Sequence, residues 1–260
     1  MHISCTSKPI RFIDHIEKLA KKFTGHPKYL EKKAREDLLK YEQKRFYETG
    51  YLDFYTDIDY IWLCIDFFTD FTWDATLDTI DILNYLNYIP NRIMDVGAGI
   101  GLSCLLFAKA FPDTEIIYQN LDSHQYEFAK KLFYEDCAGL GKITMVKNAS
   151  EVKADVVTMY ELLEHIKSPV DFIKDITHRT RPNFIFERSS FDYLNPGHYL
   201  EFTVDGKQIK HKDMHPRIDT EFNKLGYFKY DRVMKPIKRK VLNRLYTYLF
   251  SPSLIGDKHD

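Results

Sequence analysis

The chain has 260 residues, 44% of them hydrophobic and 29% charged, with 37 basic side chains against 38 acidic ones. That length can bury most of its unfolded surface in a core, and the near-zero charge balance excludes a general attraction to polyanions, so charge has to be read locally. Cys5, Cys64, Cys104 and Cys137 lie far apart with no Cys-x-x-Cys among them, which argues against a zinc knuckle or a disulfide framework and fits a reducing compartment.

The opening MHISCTSKPIRF carries no apolar core of signal-peptide length. No run of about 18 apolar residues follows anywhere, so a soluble, cytoplasmic protein without a membrane span is expected. Residues 1–45 are lysine-rich and helical in texture, as in HIEKLAKKF and KYLEKKAREDLLKYEQKRFY. Between Phe46 and Asn91 there is no Lys or Arg, while Asp66, Asp70, Asp74 and Asp78 recur at helical spacing, with Trp73, Leu77 and Ile80 on another side. This pattern predicts an amphipathic helix with a solvated acidic face. Residues 1–90 are read as an N-terminal helical extension, a candidate lid whose aromatic YLDFYTDIDYIWLCIDFF suits a flat or apolar molecule, and 91–260 as the main domain.

From Arg92 the texture changes. Strands are predicted at RIMDV, TEIIYQNL, KITMVK, DVVTM and NFIFE, and helices at LSCLLFAKAF, SHQYEFAKKLFYEDC, ELLEHI and VDFIKDITHRT. The alternation is that of βαβ units and a parallel sheet. Beyond Asn195, HYLEFTV, GYFKYDRV and RLYTYLF alternate like strands without revealing their order. The basic stretch KPIKRKVLNR reads as a solvated connection, and His211 and His215 in HKDMH as solvent-exposed.

The first strand runs into RIMDVGAGIGLS, with Gly97, Gly99 and Gly101 between strand and helix. A glycine inside a regular element costs roughly 0.5–1 kcal/mol relative to alanine. Here the return is a backbone that approaches a ligand closely and a helix N-terminus aimed at it. In the dinucleotide fingerprint G-x-G-x-x-G the third glycine would fall at Leu102, one residue past Gly101, and no lysine completes a phosphate-binding P-loop.

What remains, D-x-G-x-G-x-G with Asp95 at the strand end, resembles motif I of the class I S-adenosylmethionine-dependent methyltransferases. The resemblance implies a Rossmann-like α/β fold with a seven-stranded, mostly parallel sheet. It also implies S-adenosyl-L-methionine bound by Asp95, Gly97, Ala98, Gly99, Gly101 and Tyr160. In the family an acidic residue ending the second strand accepts hydrogen bonds from both ribose hydroxyls; the match falls on Asn120 or Asp122, with Asp122 preferred for its charge. Asn148, after the third strand, stands where relatives carry an Asp that meets the adenine amino group.

The stretch ADVVTMYELLEHIKSPVDF looks like the fourth strand and following helix of the ubiquinone-biosynthesis O-methyltransferases. On a helix, Glu161, Glu164 and His165 at i, i+3 and i+4 would share one face. Glu-x-x-Glu-His also resembles the metal-ligand set of small-RNA 3′-end 2′-O-methyltransferases, in which His198 of NPGHYLEFT would complete a site for Mg²⁺ or Mn²⁺. Three readings stand open here: a metal site, His165 with Glu161 as acid–base residues, or a structural pair. The base-amino methyltransferases carry Asn/Asp-Pro-Pro-aromatic where this chain reads MYELLE, so O-methylation of a small-molecule hydroxyl is expected. The alternatives are an RNA acceptor, the lesser expectation, and a scaffold that keeps the fold without turnover.

Overall fold

The computed structural model describes residues 10–28, 40–41, 44–48, 58, 60–136, 139, 141–147, 152–192, 194, 197–229 and 246–250. Asn148, Cys5, Cys137 and the basic stretch 235–244 lie outside the described residues. The N-terminal helices are α1 (Ile10–Thr24), α2 (Tyr60–Phe67) and α3 (Trp73–Tyr85), with a π-helical turn over Phe68–Thr72 between the last two. The alternating part follows as β1 (Arg92–Val96), α4 (Leu102–Ala110), β2 (Glu115–Gln119), α5 (His124–Lys131), β3 (Lys142–Val146), β4 (Val156–Tyr160), α6 (Pro169–Thr180) and β5 (Phe184–Arg188). It is completed by a hairpin of β6 (Glu201–Val204) and β7 (Lys207–Lys210), then α7 (His215–Lys224), β8 (Tyr227–Lys229) and β9 (Tyr246–Phe250).

The main sheet has seven strands in the order β3-β2-β1-β4-β5-β9-β8. Pairings among β1–β5 are all parallel, while β9 runs antiparallel to both β5 and β8. The expected mostly parallel sheet is therefore present, and β8 and β9 are its last two strands. HYLEFTV contributes instead to the separate β6–β7 hairpin.

Period-two alternation sends neighbouring apolar residues to opposite faces. Ile93, Ile116, Val156 and Phe184 face a core shared with α1 to α5, and Met94, Ile117, Val157 and Ile185 face one shared with α6, α7 and the hairpin. Local signals set the helix starts. Ser123 caps α5 by accepting the Tyr126 N–H at 3.4 Å, and Pro169 opens α6, where its missing N–H costs nothing.

The predicted acidic face is corrected. Asp78 is fully buried, because α3 lies inside the first core with Trp73, Ala75, Thr76, Leu77, Thr79, Ile80, Ile82 and Leu83 also buried. Asp66 pairs with Lys28 rather than only with water. The pattern at 66, 70, 74 and 78 also crosses the π-helical turn, which rotates the two helices out of one common face. The HKDMH segment is corrected as well: His211 is 5% exposed, and His215 starts α7.

Phe107, on α4, is completely buried between the sheet and the N-terminal helices. Replacing it with Ala should lower unfolding free energy by about 3–5 kcal/mol, read as a drop in the urea midpoint.

Candidate active site

The glycine loop is held from outside by the next strand. The Gly99 carbonyl accepts from Tyr118 Oη at 2.7 Å and from Asn120 Nδ2 at 3.0 Å, and Gln119 accepts the Ala98 N–H at its carbonyl and the Gly97 N–H at its side-chain oxygen. Gly97, Gly99 and Gly101 all have positive φ, at 69°, 54° and 82°. Their surroundings differ. A Cβ at Gly101 would come within 2.3 Å of Phe133, and one at Gly97 within 2.7 Å of Leu162, whereas at Gly99 nothing lies within 4 Å. The middle glycine thus borders open space, and its neighbours need to be bare to pack the loop.

That space is a cleft lined on one side by Asp95, Gly97, Ala98 and Gly99 and on another by Tyr60, Phe67, Phe68 and Phe71 from α2 and the π-helical turn. Tyr160, Glu161, His165 and His198 also line it. Asp95 is almost fully buried; its Oδ1 accepts from Thr158 Oγ1 at 2.6 Å and its Oδ2 faces Cys104 Sγ at 3.7 Å. Burial pushes its pKa up to about 7, against the smaller opposing effect of the Thr158 and Cys104 hydrogen bonds. Tyr160 is anchored by a 2.6 Å bond between its hydroxyl and Thr79 of α3.

Asn120 and Asp122 do not share a face, because β2 ends at Gln119 and strand alternation stops there. Asn120 is buried beside the glycine loop, also donating to Gln125 Oε1 at 3.1 Å. Asp122 is exposed and pairs with Lys147 at 2.8 Å. The expectation that the two residues share one face is thus corrected.

The helix expected over ELLEHI is absent. Residues 163–165 form a single 3₁₀ turn, and Glu161 has a left-handed backbone, φ 49°. The i, i+3, i+4 argument therefore fails for Glu161. Its carboxylate turns to the Arg188 guanidinium, 3.4 Å from Nε to Oε1, and to a short hydrogen bond with Ser190. Glu164 and His165 instead gather with His198, which arrives from the loop after β5. One ligand atom from each of the three lies within 4.8 Å of the others.

Each group in this cluster suits a cation. Glu164 is completely buried; Oε1 accepts the Ser190 N–H at 2.8 Å, while Oε2 has no hydrogen-bond donor among the described residues. Burial and, after it, the neighbouring Glu161 carboxyl hold its pKa well above the usual carboxylate range. Burial lowers the His165 pKa to about 4, so its imidazole is neutral at neutral pH, as a metal ligand must be. His198 packs edge-on against His165, ring centroids 4.7 Å apart, and is stacked by His211 at 5.1 Å. The His211 nitrogens face the carbonyls of Tyr199 at 2.8 Å and Ser190 at 3.1 Å, which fixes the ring behind His198.

Residues 74–247 match the model of a methyltransferase-domain family. The chain belongs to that family. It is accordingly a methyltransferase dependent on S-adenosylmethionine. No curated protein matches the sequence. Among solved structures, the methyltransferase domain of bacterial CtHen1 aligns at 15% identity over 70% of this chain and 100% of the other, TM-score 0.51. Magnesium protoporphyrin IX methyltransferase from Synechocystis PCC 6803, with bound SAH, aligns at 13% identity over 68% of this chain and 83% of the other, TM-score 0.51. At such identities the likeness establishes the fold. No described helix is long and apolar enough to cross a membrane.

The residues present fit the cofactor: an uncrowded backbone at Gly99 and a buried carboxylate for an ammonium, with Asn120 bracing the Gly99 carbonyl behind the loop. Sequence reading missed Thr158 and Arg188 as site residues, whereas Tyr60, Phe67 and Phe68 of the wall lie in the aromatic stretch it singled out. A lone Thr in VVTMY and an Arg closing NFIFER were visible as polar interruptions of apolar strands.

Two outcomes follow for this methyltransferase. Gly99→Arg should abolish S-adenosylmethionine binding in calorimetry, since the side chain would enter the cleft. Asp95 favours an ammonium only when ionised, so wild-type affinity should rise as pH rises through about 7. In Asp95→Asn that rise should be lost and affinity should fall about tenfold at pH 8, the scale of one charge-assisted hydrogen bond.

Proposed function

We propose that the enzyme O-methylates the hydroxyl of a small, flat or apolar molecule seated between the aromatic wall and the Glu164–His165–His198 cluster. The observation that carries this reading is the shared cleft: Phe67, Phe68 and Phe71 line it together with Gly99, His165 and His198. In this reading Tyr60–Thr72, from the N-terminal helical extension, forms the acceptor side, and ubiquinone-type acceptors, with a flat ring and a hydroxyl, are within its class.

S-adenosylmethionine supplies an electrophilic methyl and a good leaving thioether, which leaves the protein two tasks: alignment and deprotonation. Asp95, the glycine loop and Asn120 hold and orient the cofactor ends. The aromatic wall places the acceptor and excludes water. As the new O–C bond forms and the S–C bond breaks, the hydroxyl proton must leave the oxygen. His165 alone is a weak base, because burial penalises its imidazolium. Glu164, His165 and His198 would hold a divalent cation, whose chemistry is to orient a hydroxyl and lower its pKa. Mixed imidazole and carboxylate donors favour Mn²⁺, Fe²⁺ or Zn²⁺ over Mg²⁺.

A second reading, 2′-O-methylation of an RNA end, is favoured by the same three ligand atoms lying within 4.8 Å. The two are separated by offering the enzyme a panel of phenols and catechols and, in parallel, short RNA duplexes with free 3′ ends, each with and without EDTA. Transfer to phenols supports the first reading and transfer to RNA the second, whereas transfer to an amine overturns both. Glu164→Gln and His198→Ala should each weaken Mn²⁺ binding at least tenfold in calorimetry, while Glu161→Gln should change it little.

A further inference from the structure

Arg188 closes β5 and is nearly inaccessible to solvent, at 3% exposure. A buried guanidinium is costly unless it is fully engaged, and this one reaches two separate parts of the cleft. Its Nη1 donates to the carbonyl of Phe71, inside the π-helical turn that carries the aromatic wall. Its Nε lies 3.4 Å from Glu161 Oε1, and its own carbonyl accepts the Glu161 N–H at 2.6 Å.

Both ends of this bridge are unusual. Single π-helical turns inside helices concentrate at functional positions because the wider turn is less stable than the α-helix it interrupts. Glu161 is a non-glycine residue at φ 49°, a conformation that persists only where surrounding contacts over-determine it. Arg188 and Ser190 supply those contacts. The next residue, Leu162, presses on the glycine loop: its Cδ1 lies 2.7 Å from where a Gly97 Cβ would stand. A continuous path of contacts thus runs from the cofactor loop through Leu162, Glu161 and Arg188 to Phe71.

We propose that Arg188 is a positioning residue that ties the aromatic acceptor wall to the loop after β4, so that filling the cofactor side of the cleft orders the acceptor side. The proposal deepens the reading above and rests on it for calling this wall the acceptor side. Cofactor would then bind first and prepare the surface on which the acceptor is placed.

Hydrogen exchange of segment 66–74, with and without S-adenosylhomocysteine, tests this, with calorimetry of the same ligand alongside. Both tryptophans of the chain, Trp62 and Trp73, flank the π-helical turn, so acrylamide quenching of their fluorescence gives a second readout. In the wild type the ligand should slow exchange of the segment about tenfold and reduce quenching. Arg188→Met should bind the ligand within about threefold of wild type yet lose both effects, and Arg188→Lys should restore part of them. Should Arg188→Met fail to fold, Glu161→Gln removes the ion pair while leaving the Phe71 bond, and it too should lose the protection. Equal protection in wild type and in the folded variants overturns the proposal. So does a wild type that binds the ligand without protecting 66–74, a result that leaves the methyl-transfer reading standing. Transfer only to amines, with protection intact, removes the acceptor reading and keeps the coupling.

Discussion

The register of β4 between its two neighbours is the constraint on which the site depends. Asp95 stands opposite Thr158, and Tyr160 opposite Arg188. The first pairing puts a hydroxyl against the one carboxylate at the end of β1. The second brings Arg188 beside the residue that follows Tyr160, so the guanidinium meets Glu161. Because strand side chains alternate, a slip of one residue would send Thr158 and Tyr160 to the opposite face and leave Asp95 buried without its donor. Parallel strands buried on both faces resist such slips, since each face has its own apolar core to satisfy.

Around that register the fold keeps ionisable groups where water is scarce. Asp95, Glu164 and His165 are all pushed by burial toward their neutral forms, the carboxyls upward and the imidazole downward. Neutral groups in a closed cleft lower the cost of folding around them. Stability and binding are opposed here. A site that ionised fully in the free protein would be harder to bury, and one that never ionised could not recognise its ligand.

The aromatic wall shows how the N-terminal helices are tied to the sheet. Thr79 of α3 bonds Tyr160, Thr76 of the same helix meets Ser103 of α4 at 3.0 Å, and Arg188 reaches the π-helical turn. Three polar contacts therefore add direction to apolar packing, which by itself is non-directional. Directional bonds of this kind set the distance between the aromatic wall and the glycine loop.

Much of this was legible in the residues. The bare glycines after RIMDV, the strand and helix alternation from Arg92 to Arg188, and the nearness of Glu164 to His165 are local properties, and local geometry carries them into the structure with little change. Three placements depended on tertiary contacts, the last of them at a residue to which the motif resemblance had already pointed. A left-handed turn at Glu161 replaced a helix, and so Glu161 left the cluster for Arg188. Strand β2 stopped at Gln119, turning Asn120 inward and Asp122 to water. The loop after β5 delivered His198 to His165 from 33 residues away. Periodicity describes a chain that continues as it began. Where a strand ends, a turn takes positive φ or a distant loop folds back, the partners belong to other parts of the chain, and only their packing selects them.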